Sequence, residues 1–429
     1  MTAEVAVMNK VAVALAADSA ATTRHKIYNS VNKLFRLSDH QPVGIMIYGN
    51  AEIMGIPWEA IIKVYRSRLG TRSEKTLQLY AEEFVSYLIK EHSIFPDSER
   101  ETYVQKVACG YLSDLAESAR TASTGSREDV DSAVRQTIRE YHFDPLCSHC
   151  GELKDLPENY RSDLRARYED KIGVLITQAF RGLNISSETE EVIKDYCFEC
   201  LCREYFDDFS GVVIAGFGED ELFPSLVEYE IEGMAIGNFL KHRIGQVTQI
   251  GFDASSAAIV PFAQKEMVHS FLRGIHPDIH EFLDAYLTAT FDKYELQIMT
   301  SLAGVEKLDF ADFNKKLVSA KDVILKELKK DLRDRQSKHH VDPVLDAVEV
   351  LPKDELAAMA ESLVNLTVLK RRMSTDEETV GGPIDVAVIS KGDGFIWIKR
   401  KHYFTKDLNP RYITQYFPLS QFTQNCVIP

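Results

Sequence analysis

The chain has 429 residues, of which 45% are hydrophobic and 27% are charged, so it can bury a large core. Its formal net charge of −15 disfavours nonspecific binding to nucleic acid or to anionic membrane surfaces. No apolar run reaches the roughly 18–20 residues that span a bilayer, no signal peptide is indicated, and seven cysteines are too few for a disulfide framework. We therefore expect a cytoplasmic, reduced protein with neither a nucleic-acid nor a membrane partner.

Strand-like runs dominate the first fifty residues. Residues 3–8 and 11–17 are rich in Val and Ala and are separated by a short polar turn, which predicts a buried hairpin. Strand-like pieces follow in residues 27–37. The apolar run 43–48 ends at a Gly-Asn pair and is typical of a fully buried strand.

Helical and strand-like regions alternate in the rest of the chain. Apolar residues at helical spacing predict helices from about residue 51 to 206 and again from about 257 to 373. Between these regions, strands are predicted at 212–217 and 226–232. A closing hairpin is predicted from two apolar runs around a polar turn, 383–389 and 395–398.

Three polar residues near the N-terminus have the chemistry of a hydrolase. Thr2 directly follows Met1, and removal of Met1 would expose a hydroxyl nucleophile beside a free α-amine. That amine, with a pKa of about 8, is partly neutral near pH 7 and can act as the base. Lys33 would favour loss of the hydroxyl proton, and Asp18 would hold Lys33 ionised. The alternative is that Asp18 and Lys33 form only a structural ion pair.

This ordered set resembles the proteasome β-subunit family of N-terminal nucleophile hydrolases, which includes the bacterial HslV and Anbu proteins. The matching features are Thr2, Asp18 and Lys33, the Tyr-Gly-Asn-Ala run at 48–51, the strand pair at 211–233, and the closing segment 381–394. The resemblance covers about half the chain, roughly residues 2–70, 210–270 and 355–400.

The resemblance implies an α+β fold, the four-layer αββα sandwich of the N-terminal nucleophile hydrolases, in a single domain over residues 1–429. Two segments exceed the family's compact size, and we expect helical insertions at about 71–205 and about 275–350. The implied activity is that of a threonine hydrolase that cleaves peptide or amide bonds without a catalytic cofactor. Family members also form homo-oligomers, and an unfoldase partner would remain to be identified.

Further site positions follow from the resemblance. The oxyanion donor would be the backbone N–H of Met46, where family members usually have Gly. A supporting serine is expected at Ser255 or Ser256, near the start of a helix after Gly251, although helix capping is an equally good interpretation.

An acidic residue is expected before the Gly-Gly pair at 381–382, at Glu377 or Asp376. Val380 stands where the family has a Ser, and Ala20 stands where an Arg is common. Together with Met46, these departures motivate the alternative of a catalytically inactive proteasome-like scaffold or binding protein. An amidase for small molecules on the same fold is a third interpretation.

Two Cys-x-x-Cys pairs suggest a structural metal site. Four thiolates from Cys147, Cys150, Cys197 and Cys200 have the spacing of a tetrahedral zinc site, which would hold the first helical insertion together. The alternative is that Cys197, Cys200 and Cys202 are buried apolar residues of a helix and that the first pair is free.

Overall fold

The described part of the chain in this computed structural model contains two antiparallel five-stranded sheets, two small two-stranded sheets and eleven α-helices. It describes residues 2–23, 26–91, 94–122, 127–142, 151–206, 208–302, 309–374, 380–405 and 408–411. The protein is therefore mixed α/β with antiparallel sheets, as the α+β prediction requires.

The strands are β1 (Ala3–Asn9), β2 (Ala12–Ala17), β3 (Ala21–Thr23), β4 (Lys26–Tyr28), β5 (Leu34–Arg36), β6 (Val43–Gly49), β7 (Glu52–Ile53), β8 (Ile56–Pro57), β9 (Ser210–Gly216), β10 (Ser225–Gly233), β11 (Lys241–Gln249), β12 (Ala257–Ala263), β13 (Asp385–Ser390) and β14 (Gly394–Lys399). The first sheet has the order β12-β1-β2-β13-β14, and the second has the order β11-β10-β9-β6-β5.

The α-helices are α1 (Trp58–Leu69), α2 (Leu77–Lys90), α3 (Asp97–Ala122), α4 (Arg127–His142), α5 (Tyr160–Ala179), α6 (Ser187–Cys202), α7 (Glu266–Arg273), α8 (Pro277–Leu302), α9 (Phe310–Gln336), α10 (Asp342–Glu349) and α11 (Lys353–Met373). A short π-helical turn, Ser337–Val341, joins α9 to α10. Among the described helices, none combines the length and the apolar character needed to cross a membrane.

Apolar clusters explain why the central strands are nearly continuous apolar runs. Side chains of both sheets, such as Met8, Leu15 and Val213, form one cluster. The opposite face of the second sheet packs against α1 and α2, and the opposite face of the first sheet packs against α7, α10 and α11. Both faces of β1, β2 and β13 are consequently buried, so apolar and polar residues do not alternate along these strands.

The predicted N-terminal hairpin is confirmed, and Asn9 explains its turn. Asn9 Oδ1 accepts hydrogen bonds from the amides of Val11 (2.9 Å) and Ala12 (3.3 Å), which is how an Asx side chain stabilises a turn. Asn9 Nδ2 donates to the carbonyls of Val348 (2.9 Å) and Leu351 (3.0 Å). One side chain thus shapes the turn and anchors it to the end of α10.

The predicted closing hairpin is also confirmed as β13 and β14, and β13 pairs with β2 in the first sheet. The helical prediction from residue 257 is wrong at its start, because residues 257–263 form β12 and α7 begins only at Glu266. β11 was not predicted at all. Pro261 lies within β12, which is tolerated because β12 is an edge strand whose outer side needs no ladder hydrogen bond.

The two predicted insertions contain α2–α6 and α8–α10, respectively. α3–α6 share an apolar cluster of their own, whereas α2 packs on the second sheet. The assignment of these segments as insertions into a smaller domain stays a prediction.

Candidate active site

Thr2 extends the ladder between β1 and β12 by one residue. Its carbonyl accepts a hydrogen bond from the amide of Gln264 (3.3 Å), next to the Ala3–Ala263 pair. The residue is only 4% exposed, and its Oγ1 has no hydrogen-bond partner among the residues that the structure describes. A buried hydroxyl without a partner is costly, so its contribution to stability does not explain its position.

Asp18 lies opposite this end of β1, immediately after β2, and is fully buried. Its Oδ1 accepts from the amide of Ala3 (3.1 Å) and from Lys33 Nζ (2.5 Å). Its Oδ2 accepts from the amides of Ala20 (3.2 Å) and Gly381 (2.9 Å). Four donors therefore fix the carboxylate, and one of them belongs to the segment that leads into the closing hairpin.

Lys33 connects the two sheets. It directly precedes β5, and its carbonyl accepts from the amide of Ile47 (2.8 Å) in the second sheet. The residue is 4% exposed, and its side chain is ion-paired with Asp18 beside the first sheet. Because a buried ammonium without its partner is strongly destabilising, this pair holds the two sheets in register at the Thr2 end. The structure thus brings together Asp18, Lys33 and the start of β1, as the sequence predicts.

Glu4 is a site residue that the sequence analysis missed. It faces Ala17 and Phe262 on the neighbouring strands, both of which belong to the apolar cluster of the two sheets. Glu4 is 1% exposed, and neither carboxylate oxygen has a hydrogen-bond partner among the described residues. Burial raises the pKa of Glu4 well above its ordinary value; Lys33 opposes this rise and Asp18 adds to it. The only sequence signal was a carboxylate inside an apolar run.

Tyr48 and Glu228 form a second buried polar pair next to Glu4. The hydroxyl of Tyr48 donates to Glu228 Oε1, and the amide of Gln246 donates to Glu228 Oε2 (2.8 Å). The ring of Tyr48 stacks on Phe262 with a centroid distance of 5.8 Å. Burial, followed by the charge of Glu228, raises the pKa of Tyr48, and Glu4 contributes to that rise. The phenol is therefore neutral at physiological pH.

Met46 lies in the middle of a fully paired ladder. It is opposite Leu34 in β5 and Val213 in β9, and its side chain belongs to the apolar cluster of the two sheets. The amide of Ile47 points to β5, where it donates to Lys33. Because amides alternate along an antiparallel strand, the amide of Met46 is directed to β9. It is thus engaged within the sheet, and we do not assign it the oxyanion role.

The expectation of a supporting serine after Gly251 is wrong. No helix begins there; Ser255 is exposed and forms an isolated bridge with Ile250, two residues before β12. The start of β12 pairs with Asn9, whereas its end pairs with Ala3. These two ends are about 20 Å apart at roughly 3.4 Å per residue, so Ser255 and Ser256 lie at the opposite end of the sheet from Thr2.

The remaining predicted residues near the Gly-Gly pair have different outcomes. Glu377 and Asp376 lie outside the described residues. Val380 is buried in the apolar cluster beneath α11, and Ala20 is also buried. The adjacent backbone, not these side chains, reaches the site, because Gly381 donates its amide to Asp18 and accepts from the amide of Ser19 (3.0 Å).

Half of the predicted zinc site, Cys147 and Cys150, lies outside the described residues. Cys197 and Cys200 are buried on α6 in the apolar cluster of α3–α6. Burial raises the pKa of both thiols, that of Cys200 to about 12, which disfavours the thiolate that zinc requires. No group of three or more metal-binding side chains occurs within the part of the chain that the structure describes. This environment favours the interpretation as apolar helix residues, and the zinc site stays a prediction.

The sequence matches no protein-family model, and no curated protein is significantly similar to it. A function can therefore be inferred only from the residues at the Thr2 end of β1.

Proposed function

We propose that this protein is an N-terminal threonine hydrolase that cleaves peptide or amide bonds, with Thr2 as its nucleophile once Met1 has been removed. The observation that carries the proposal is that Lys33 and the amide of Ala3 meet at one carboxylate oxygen of Asp18. Ala3 directly follows Thr2, whose buried hydroxyl has no described partner.

The proposed chemistry uses Thr2, Lys33, Asp18 and one water molecule. The α-amine of Thr2 takes the hydroxyl proton, and Oγ attacks the substrate carbonyl carbon. The protonated amine then passes its proton to the leaving nitrogen, the C–N bond breaks, and an ester to Thr2 remains. Water then attacks this ester while the α-amine takes a proton from it. The acyl group leaves as a carboxylic acid, and the amine passes the proton to Oγ, which restores the hydroxyl. Lys33 stabilises negative charge that develops near Oγ, and Asp18 holds Lys33 in place.

We further propose that the two sheets and their helices form the four-layer αββα sandwich of N-terminal nucleophile hydrolases. Support comes from the apolar cluster shared by the two sheets and from separate clusters that join each sheet to its own helices. The buried cysteines without a described disulfide support a reducing, cytoplasmic location.

A homo-oligomer is also proposed. None of the described side chains of α8 is buried, and this helix exposes Phe282, Tyr286 and Leu296, which supports association with further copies. Light scattering after gel filtration measures the mass, and a monomer over the whole accessible concentration range would contradict this proposal.

A second candidate function is a catalytically inactive scaffold. The burial of Thr2 favours it, because a substrate reaches a residue that is 4% exposed only if the neighbouring surface moves.

Intact mass and covalent labelling distinguish the two candidates. The hydrolase proposal requires that the purified chain has lost Met1 and that a threonine-directed electrophile adds one equivalent at Thr2. Thr2→Ala, which also permits removal of Met1, should not be labelled, and Thr2→Ser should be labelled. A chain that keeps Met1 in its native host, or one that is processed but not labelled, would contradict the hydrolase and support the scaffold.

A further inference from the structure

Glu4 is a buried carboxyl group that the mechanism above does not use. It lies two residues from Thr2 along β1, so strand alternation places both side chains on the same face. The two Cα atoms are about 7 Å apart at roughly 3.4 Å per residue. The long side chain of Glu4 and the short one of Thr2 can together span this gap.

Stability alone does not account for Glu4. Both of its oxygens lack a described partner, while its neighbours Ala6, Ala17 and Phe262 are apolar. Burying an unpartnered carboxyl group costs free energy that an apolar side chain of similar size would not cost. A second orphaned polar atom, Thr2 Oγ1, lies on the same face. Two unsatisfied polar groups therefore lie two residues apart on one face of β1.

Resting on the proposed function, we propose that Glu4 is a catalytic residue whose protonated carboxyl group donates a hydrogen bond to Thr2 Oγ while the α-amine removes the hydroxyl proton. The hydroxyl proton still moves to the α-amine, and Glu4 keeps its own proton throughout. A carboxylic acid held neutral by an apolar site is a known kind of donor to a developing oxyanion.

The surrounding charges are consistent with this role. Lys33, which precedes β5, and Asp18, which follows β2, act electrostatically on the pKa of Glu4. Tyr48 in β6 donates a hydrogen bond to Glu228, and Glu4 contributes to the raised pKa of this phenol. The Asp18–Lys33 pair is neutral overall. Ionisation of Glu4 would leave one uncompensated negative charge beside Thr2 and oppose the charge that builds on Oγ.

Labelling rates of position-4 variants test the inference. Glu4→Leu removes the donor and should slow labelling by about a hundredfold, the usual loss when an oxyanion donor is removed. Glu4→Gln retains an N–H donor and should slow it by less than about tenfold. Glu4→Gln should also lack the fall in rate at alkaline pH that ionisation of Glu4 gives the wild type. Thermal unfolding of all three proteins establishes that the slow variants are folded.

The outcomes separate this inference from the proposed function. Labelling of Glu4→Leu at the wild-type rate would overturn the role of Glu4 and leave the hydrolase intact. Absence of labelling in processed wild type would overturn both.

Infrared difference spectra test the protonation of Glu4 without measuring activity. The spectrum of the wild type minus that of Glu4→Gln should contain the C=O stretch of a neutral carboxylic acid at pH 7. Its absence would show that Glu4 is ionised and would overturn the inference even if the hydrolase is active.

Discussion

Removing the carboxylate of Asp18 should destabilise the protein far more than removing its ion-pair partner. In Asp18→Ala, the buried ammonium of Lys33 loses its described partner, which costs about 3–5 kcal/mol. Three backbone amides also lose their acceptor, so we expect a total loss of at least about 4 kcal/mol. In Lys33→Met, Asp18 retains those three amide donors. The loss should therefore be only about 1–2 kcal/mol.

The double variant sharpens this prediction. Asp18→Ala combined with Lys33→Met leaves no orphaned ammonium, so it should be about 2 kcal/mol more stable than Asp18→Ala alone. Urea titrations followed by circular dichroism measure these free energies of unfolding. Glu361→Gln is a matched control, because it breaks the more exposed pair between Glu361 and Lys399 beside the same sheet and should cost less than about 1 kcal/mol.

Equal losses in Asp18→Ala and Lys33→Met would refute the reasoning, because they would mean that the three amide donors do not hold Asp18 independently. A loss in Asp18→Ala no larger than that of the Glu361→Gln control would refute it more fundamentally. The site would then not have the buried, four-donor arrangement on which the functional proposal depends.

Three further changes give independent tests. Tyr48→Phe removes the hydrogen bond to Glu228 and should lower the free energy of unfolding by about 2 kcal/mol, measured by urea titration. Gly211→Ala would place a Cβ 1.9 Å from the ring of Tyr48 and should lower the free energy of unfolding by at least about 2 kcal/mol. The control Gly110→Ala adds a Cβ in open space on α3 and should raise the free energy of unfolding by about 0.5–1 kcal/mol. Equal effects of the two substitutions on the melting temperature would contradict the close contact between Gly211 and Tyr48. The folded-state pKa of Glu4 is raised, so the folded protein holds more protons above pH 4.5 than the unfolded chain, and stability should fall as pH rises through this range. Glu4→Gln should remove that slope, and parallel pH profiles for the two proteins would contradict it.

The sequence predicts best the strands whose environment matches a simple pattern. β1, β2, β6 and β13 are buried on both faces, so their apolar runs are unambiguous. β11 was missed because it is an edge strand whose few apolar residues, Ile244 and Val247, are exposed, so its sequence has no apolar alternation. β12 fell within the helical region predicted from about residue 257, because its apolar residues show no strict strand alternation; Pro261 in it is compatible with a strand only at a sheet edge.

For the candidate site, too, the sequence predicts some residues and misses others. Thr2, Asp18 and Lys33 were found because their order along the chain carries the chemistry. The position of Ser255 depends on which end of β12 faces Thr2, and the amide direction of Met46 depends on ladder register; neither can be deduced from one sequence. Glu4 was passed over because an isolated Glu in a strand is normally expected to face solvent. Its significance appears only once both faces of β1 are known to be buried.

The hydrogen bond from Gly381 to Asp18 has a consequence for the order of events during synthesis. It joins residues 363 positions apart, and β13 must enter the first sheet between β2 and β14. Contacts of such sequence separation form late. While the ribosome is still making the helical segments, the N-terminus cannot be enclosed by its final neighbours and stays accessible to the enzyme that removes Met1. If the proposed function holds, removal of Met1 would thus precede completion of the site, and a chain released before residue 381 would lack the amide that Gly381 donates to Asp18.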